Sequence, residues 1–235
     1  AKSQSVVTIY ALDHVLAYLG ASLIEDFHEA YPSIILSVVD TTDAHAIAAL
    51  ASQQCSFAIT AGPLDETLFE GDPLFFSHYS VRMHRSHPLA KLPALTYDDL
   101  DGQTIISKGR AYDCFRHNID KYFLAPGRKI HILAETADES IIRTLLLHNK
   151  AINIGYDYAD PLYPHPDIVS RTLKEEISGQ MIYLVSNPQV RKTKAACLFR
   201  DYLLEWMKKK LPYDSAMDRQ RVEREKISPK SGPKD

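Results

Sequence analysis

Apolar positions along the chain change period several times, and the changes mark out the elements. Residues 6–11 (Val-Val-Thr-Ile-Tyr-Ala) are a β-branched run that reads as a strand. Leu12, Val15, Leu16, Leu19, Leu23, Ile24 and Phe27 then recur at helical spacing, with Asp13 as the expected N-cap and Tyr31-Pro32 as the stop. Residues 34–39 form a second strand. Thr41-Thr42-Asp43 offers caps for a shorter helix carrying Ala46, Ile47 and Leu50. Residues 57–61 are apolar throughout and stop at Gly62-Pro63. A strand with no polar face, set between helical segments, belongs inside a parallel α/β sheet. Ligands of such sheets bind beyond the carboxyl ends of the strands, so the turn after residue 60 is expected to face a site.

The second half repeats the theme. A long strand over 74–83 leads to a helical turn at 97–100, a strand at 103–107 and a helix over 111–123 bearing Tyr112, Phe115, Ile119 and Phe123. Strands follow at 130–134, 151–156 and 168–172, with a helix over 137–148 between the first two. A strand at 181–186 returns the chain, and a helix over 190–207 carries Ala195, Leu198, Phe199, Tyr202, Leu203 and Trp206 on one side. This order implies an α/β fold of two Rossmann-like lobes joined by two crossover strands. Lobe I is expected from 1–82 and 183–211 and lobe II from 83–182, with the hinge at Val81, Arg82, Met83, Met181, Ile182 and Tyr183. Residues 212–235 are polar and charged and are expected to be disordered.

Composition narrows the function. The chain has 235 residues, 24% of them charged, with 27 basic and 30 acidic side chains. That balance supplies no basic footprint, so these residues are not expected to bind DNA themselves. No apolar run approaches the ~20 residues that span a bilayer. The start, Ala1-Lys2-Ser3-Gln4, lacks both an apolar signal region and an initiator Met, so the chain is read as a fragment or processed form. Cys55, Cys114 and Cys197 stand singly, which argues against zinc ribbons and dithiol redox chemistry and fits a reducing compartment. The pair His84-x-x-His87 lies in a turn without partners of metal-ligand type. No nucleophile elbow, phosphate loop or His-Glu-x-x-His pattern occurs. No catalytic residue, metal or cofactor is expected.

The binding chemistry is expected where strands hand over to helices. Helix N-termini after Asp13, at Thr42-Asp43, at Arg110-Ala111 and at Ala137-Asp138 present N–H groups suited to an anion. Hydroxyls of Thr42, Thr60, Ser107 and Thr136 and the ring of Tyr156 complete the candidate set, although each Thr or Ser serves equally well as a cap or turn residue. The loop Leu12-Asp13-His14 has two readings. Asp13 and His14 contact a cation or hydrogen-bond donor of the ligand, with His14 adding pH dependence, or they are an N-cap beside a half-exposed histidine.

Several of these stretches resemble the effector-binding domain of LysR-type transcriptional regulators. They are Phe27…Tyr31-Pro32, the run Phe57-Ala58-Ile59-Thr60-Ala61-Gly62-Pro63-Leu64-Asp65, and His87-Pro88-Leu89-Ala90 ahead of Leu100-Asp101-Gly102. Departures lie at Gln54 and Ser56, at Lys150-Ala151-Ile152-Asn153-Ile154-Gly155 and at Leu12-Asp13-His14, the last two bearing on effector chemistry. The resemblance implies a type II periplasmic-binding-protein-like domain, cytoplasmic and not an enzyme, that senses a small organic anion or amino-acid-like effector. It also implies an N-terminal winged helix-turn-helix, DNA contact through that segment alone, and a homodimer or tetramer, with the helix over 15–27 in the dimer contact. Two other classes share the architecture: a solute-binding protein of a transporter, which an upstream export signal would reveal, and an enzyme built on the cleft, which turnover would reveal.

Overall fold

The computed structural model describes residues 4–174 and 179–210. Strands β1 (Ser5–Leu12), β2 (Ile34–Thr41) and β3 (Phe57–Ala61) run parallel, with β1 between the other two. Strand β9 (Gly179–Ser186) joins β3 antiparallel and pairs on its other side with the first half of β4 (Glu70–His84). At Tyr79, β4 leaves β9 and pairs instead with β7 (Ile152–Tyr156) and β8 (Ile168–Thr172). β7 then leads through β5 (Thr104–Ser107) to β6 (His131–Glu135) at the far edge. The two lobes therefore share one strand, and the exchange of partners falls between His78 and Tyr79.

The expected hinge residues sit on either side of that exchange. Val81, Arg82 and Met83 are paired within the lobe II sheet, and Met181, Ile182 and Tyr183 within the lobe I sheet. β9 belongs to lobe I along its whole length, and the return from lobe II runs through the chain between Leu173 and Gly179, part of which lies outside the described residues. The segment 212–235, expected to be disordered, also lies outside them.

Burial explains each strand. All five residues of β3 are buried because it is central, whereas edge strand β2 leaves Ile35 exposed. β4 starts four residues before its apolar run: its first residues pair only with β9, so Pro73, which lacks an N–H, sits at an irregularity without breaking a second ladder. Helices cover both faces. In lobe I, α3 (Asp43–Ala51) packs Ala46 and Leu50 against Ala58 and Val185, while α1 (Val15–Leu19), α2 (Ala21–Ala30) and α6 (Lys194–Lys210) cover the other face. In lobe II, α4 (Asp113–Ile119) and α5 (Glu139–Leu147) do the same.

Three helix expectations need correction. The first helix is two, broken at Gly20, whose φ of 88° is left-handed backbone. Asp13 is not its cap; His14 takes that position at φ 66° and Asp13 is engaged elsewhere. The helix expected from 111 starts at Asp113 and continues as a π-helical turn over Asp120–Leu124. The closing helix starts at Lys194 rather than 190, because Thr193 Oγ1 accepts from Ala196 N and caps it.

α2 and α6 meet through Phe27, which is fully buried and lies edge-on to Phe199 and Tyr202 at centroid distances of 5.3 and 5.2 Å. Phe27→Ala is expected to lower the unfolding free energy by about 3–5 kcal/mol. The reading is a lower urea midpoint at unchanged slope. A midpoint equal to that of the parent chain would show that α6 does not depend on this ring.

Candidate functional site

The carboxyl ends of β1, β2 and β3 in lobe I face those of β5 and β7 in lobe II, and the loops that follow them meet. The central contact is an ion pair between lobes: Lys108 Nζ donates to Asp13 Oδ2 at 2.5 Å, with the two side chains 10% and 13% exposed. Each residue occupies the first position after its strand, Asp13 after β1 and Lys108 after β5. Lys108 also lies over the Tyr112 ring, 5.3 Å from its centroid. The left-handed turn at His14 places its Nε2 3.2 Å from Asp13 Oδ2 and its Nδ1 3.0 Å from the Tyr163 hydroxyl of lobe II. A non-glycine residue in that conformation costs about 1–2 kcal/mol, so these contacts hold the turn against strain. Tyr158 donates its hydroxyl to the Asp13 carbonyl at 2.9 Å. Burial pushes the His14 imidazole below its ordinary range, an effect that the neighbouring Asp13 carboxylate partly opposes.

A second carboxylate crosses between lobes. Asp43, first residue of α3, accepts from the N–H groups of Asp113 and Cys114 at 2.9 and 2.7 Å and so caps α4 of lobe II. Thr42 caps α3 by accepting from His45 N, and Asp138 caps α5 by accepting from Ser140 N and Ile141 N. Three of the four helix starts expected to offer N–H groups to a bound anion, those of α3, α4 and α5, are thus already served by the chain's own oxygens, and α1 has no side-chain cap.

Behind the cleft, Arg82 holds Glu139 through two hydrogen bonds of 2.7 and 3.0 Å and donates to Asn153 Oδ1 at 2.9 Å. Asn153 in turn donates to the Ile106 carbonyl. Asp160 lies 4.0 Å from Arg82, and its burial raises its carboxyl pKa. Arg82 is 7% exposed, so the network fixes the start of α5 and the wall of the cleft together.

The structure distributes the expected site residues unevenly. Asp13 and His14 stand at the lobe junction. Thr42 acts as a cap, Ser107 Oγ accepts from Gly109 N in its own turn, and Thr136 Oγ1 accepts from Asp138 N. Leu12 is a core side chain, and Tyr156 is 3% exposed, stacked between Tyr79 and Tyr158. Thr60 is 2% exposed, and its Oγ1 is buried without a partner among the described residues, as is Asp13 Oδ1. Sequence reasoning missed Lys108, Tyr158 and Tyr163. Lys108 had a signal: it follows Ser107 at the end of β5 just as Asp13 follows Leu12 at the end of β1. Tyr163 had none, lying in a proline-rich loop.

Comparison with known proteins agrees with this architecture. The chain is 24% identical over 160 residues to the HTH-type transcriptional regulator CysB of Burkholderia cenocepacia, a match covering 68% of this chain and 51% of that protein. The chain therefore spans about half the length of the curated relative it matches. Among solved structures, it superposes on the effector-binding domain of QuiR in complex with shikimate at a TM-score of 0.77 and 20% identity, covering 88% of this chain and 99% of that one. The regulatory domain of CcmR from Synechocystis PCC6803 in complex with 2-PG gives a TM-score of 0.78 at 16% identity, covering 87% and 98%. At these identities the superpositions speak for the fold, the two-lobed type II periplasmic-binding-protein-like architecture. The model of the LysR substrate binding domain matches residues 1–208, and the chain belongs to that family.

Proposed function

We propose that this domain senses a small molecule between its lobes and, within a longer cytoplasmic regulator, passes the change in lobe geometry to an N-terminal DNA-binding segment. Lobe I is then taken as 4–78 and 179–210 and lobe II as 79–174, divided where β4 changes partners. The observation that carries the reading is the bridge from Asp13 to Lys108, which joins the lobes and leaves one carboxylate oxygen of Asp13 buried without a donor among the described residues. QuiR with shikimate and CcmR with 2-PG support small-molecule occupancy of this fold.

The bridge also favours one class of effector. An anionic group that takes Lys108 strips Asp13 of its counter-ion, and an unpaired buried charge costs about 3–5 kcal/mol. A compound with both an anionic group and an ammonium or hydroxyl donor satisfies Lys108 and Asp13 together. An amino-acid-like or hydroxylated carboxylate fits this requirement; a simple anion does not. Opening or tightening the bridge needs only a differential affinity for two lobe arrangements, typically ~1–3 kcal/mol.

The assembly is a homodimer or a tetramer built from it. Ile24 on α2 and Ile35 on edge strand β2 are 44% and 42% exposed, and Ile132 and Leu133 on β6 are exposed at the opposite edge of the sheet order. A two-fold dimer covers the α2 surface against its partner.

A thermal-shift screen of amino acids and hydroxy-carboxylates, followed by calorimetry, tests the cleft. Lys108→Gln is expected to weaken a hit by about 10–100-fold, the loss of a charge-assisted hydrogen bond. Asp13→Asn is expected to weaken it without unfolding the chain. Unchanged affinity in both variants overturns the reading. For the dimer, Ile24→Lys is expected to shift the mass measured by light scattering toward the monomer at micromolar concentration, and an unaltered mass removes α2 from the contact.

A further inference from the structure

We propose that lobe I carries a second ligand site, separate from the cleft, that takes a small phosphorylated or carboxylated metabolite. A cavity of about 280 Å³ lies between the loop joining α3 to β3 and the loop joining β9 to α6, lined by Gln53, Cys55, Ser186, Asn187, Arg191 and Lys192 among others. Its origin is a mismatch of strand ends. β3 starts at Phe57 and pairs with β9 only from Ala58 opposite Val185, so Ser186 runs past the last β3 partner. The two loops close over the gap that remains.

Four features give the cavity a preference for anions. Ser186 is 4% exposed and lines the space. Arg191 forms no ion pair among the described residues, and Lys192 reaches Glu70 only at 3.9 Å. The 17-residue helix α6 starts at this wall; Ala196 N and Cys197 N are taken by Thr193, and the N–H groups of Lys194 and Ala195 precede the first intrahelical bond. Burial raises the Cys55 thiol to about 11, so it stays neutral and does not repel an anion. The volume is near the lower end of ligand pockets, about 300–1,000 Å³, which suits a small metabolite rather than a nucleotide.

The site is distinct from the cleft because it sits at the opposite end of the same strands. Thr8, which lines it, and Asp13 are five residues apart along β1 and its loop, about 16 Å at ~3.3 Å per residue. An occupant would tie α6 to the α3–β3 loop and stiffen lobe I without touching Lys108.

The test is a titration of the isotopically labelled chain with inorganic phosphate at constant ionic strength, followed by amide resonances. Saturable shifts are expected at 53–56 and 192–196, with the apparent Kd raised at least tenfold in Arg191→Gln and unchanged in Lys108→Gln. Ser186→Ala, which keeps the backbone and both cations, is expected to weaken binding by a smaller factor. Shifts confined to residues around Asp13 and Lys108, no saturable shift at all, or equal affinity in the parent and Arg191→Gln would each overturn the proposal.

Discussion

Strand β4 is the constraint on which the rest depends. It is fifteen residues long, and its halves belong to different lobes: Glu70 to His78 are laddered to β9, and Tyr79 to His84 to β7 and β8. Neither lobe's sheet closes without it, so the lobes cannot separate. The joint that β4 supplies is the few residues where the ladder changes hands, between His78 and Tyr79. The aromatic stack of Tyr79, Tyr156 and Tyr158 lies immediately beside that point. Tyr158 then reaches across to the Asp13 carbonyl, so the pivot and the cleft contact are joined through one side chain.

Given that pivot, the cleft is a problem in charge balance. Asp13 faces Lys108 and Glu139 faces Arg82, while burial keeps His14 toward its neutral form. Two of these four charges lie on opposite lobes, and their attraction weighs on the rotation about β4. The Arg82–Glu139 pair is confined to lobe II and is braced by Asn153, so it holds its geometry whatever the lobes do. One pair is therefore a latch and the other a wall. Asp43, seated on the first N–H groups of α4, adds a second latch with no formal counter-ion.

Much of this was legible in the chain. The order of strands and helices, the all-apolar β3 and the handover loops follow from hydrophobic period and turn residues, because burial on one or two faces dictates those patterns directly. What could not be read was partnership. Nothing in Leu12-Asp13-His14 shows that His14, not Asp13, occupies the cap position, since the choice is made by Lys108 at a distance of 95 residues. The same holds for Asp43, which reads as an ordinary first-turn acid of α3 and in fact serves α4. Tyr163 gains its place only because the loop after β7 folds against His14. Local pattern encodes elements, while the site is composed of contacts between elements.

That distinction bears on how such a domain changes ligand without changing fold. The residues that make β3, β4 and the helix faces are fixed by burial, and substitution there is felt throughout the core. Positions 13 and 108 lie just past strand ends, where the backbone is held by the sheet and the two side chains meet each other across the lobes. On the proposed reading, exchanging Asp13 and Lys108 for other residues would alter the charge that an effector must carry while leaving both sheets intact. The buried oxygen of Asp13, unpaired among the described residues, marks the cost of the present arrangement: a latch that gives Lys108 its counter-ion and satisfies Asp13 only in part. On the proposed reading, an effector able to complete the missing hydrogen bond has a thermodynamic advantage over the latch itself, and that inequality would let a small molecule act on two lobes that already hold each other.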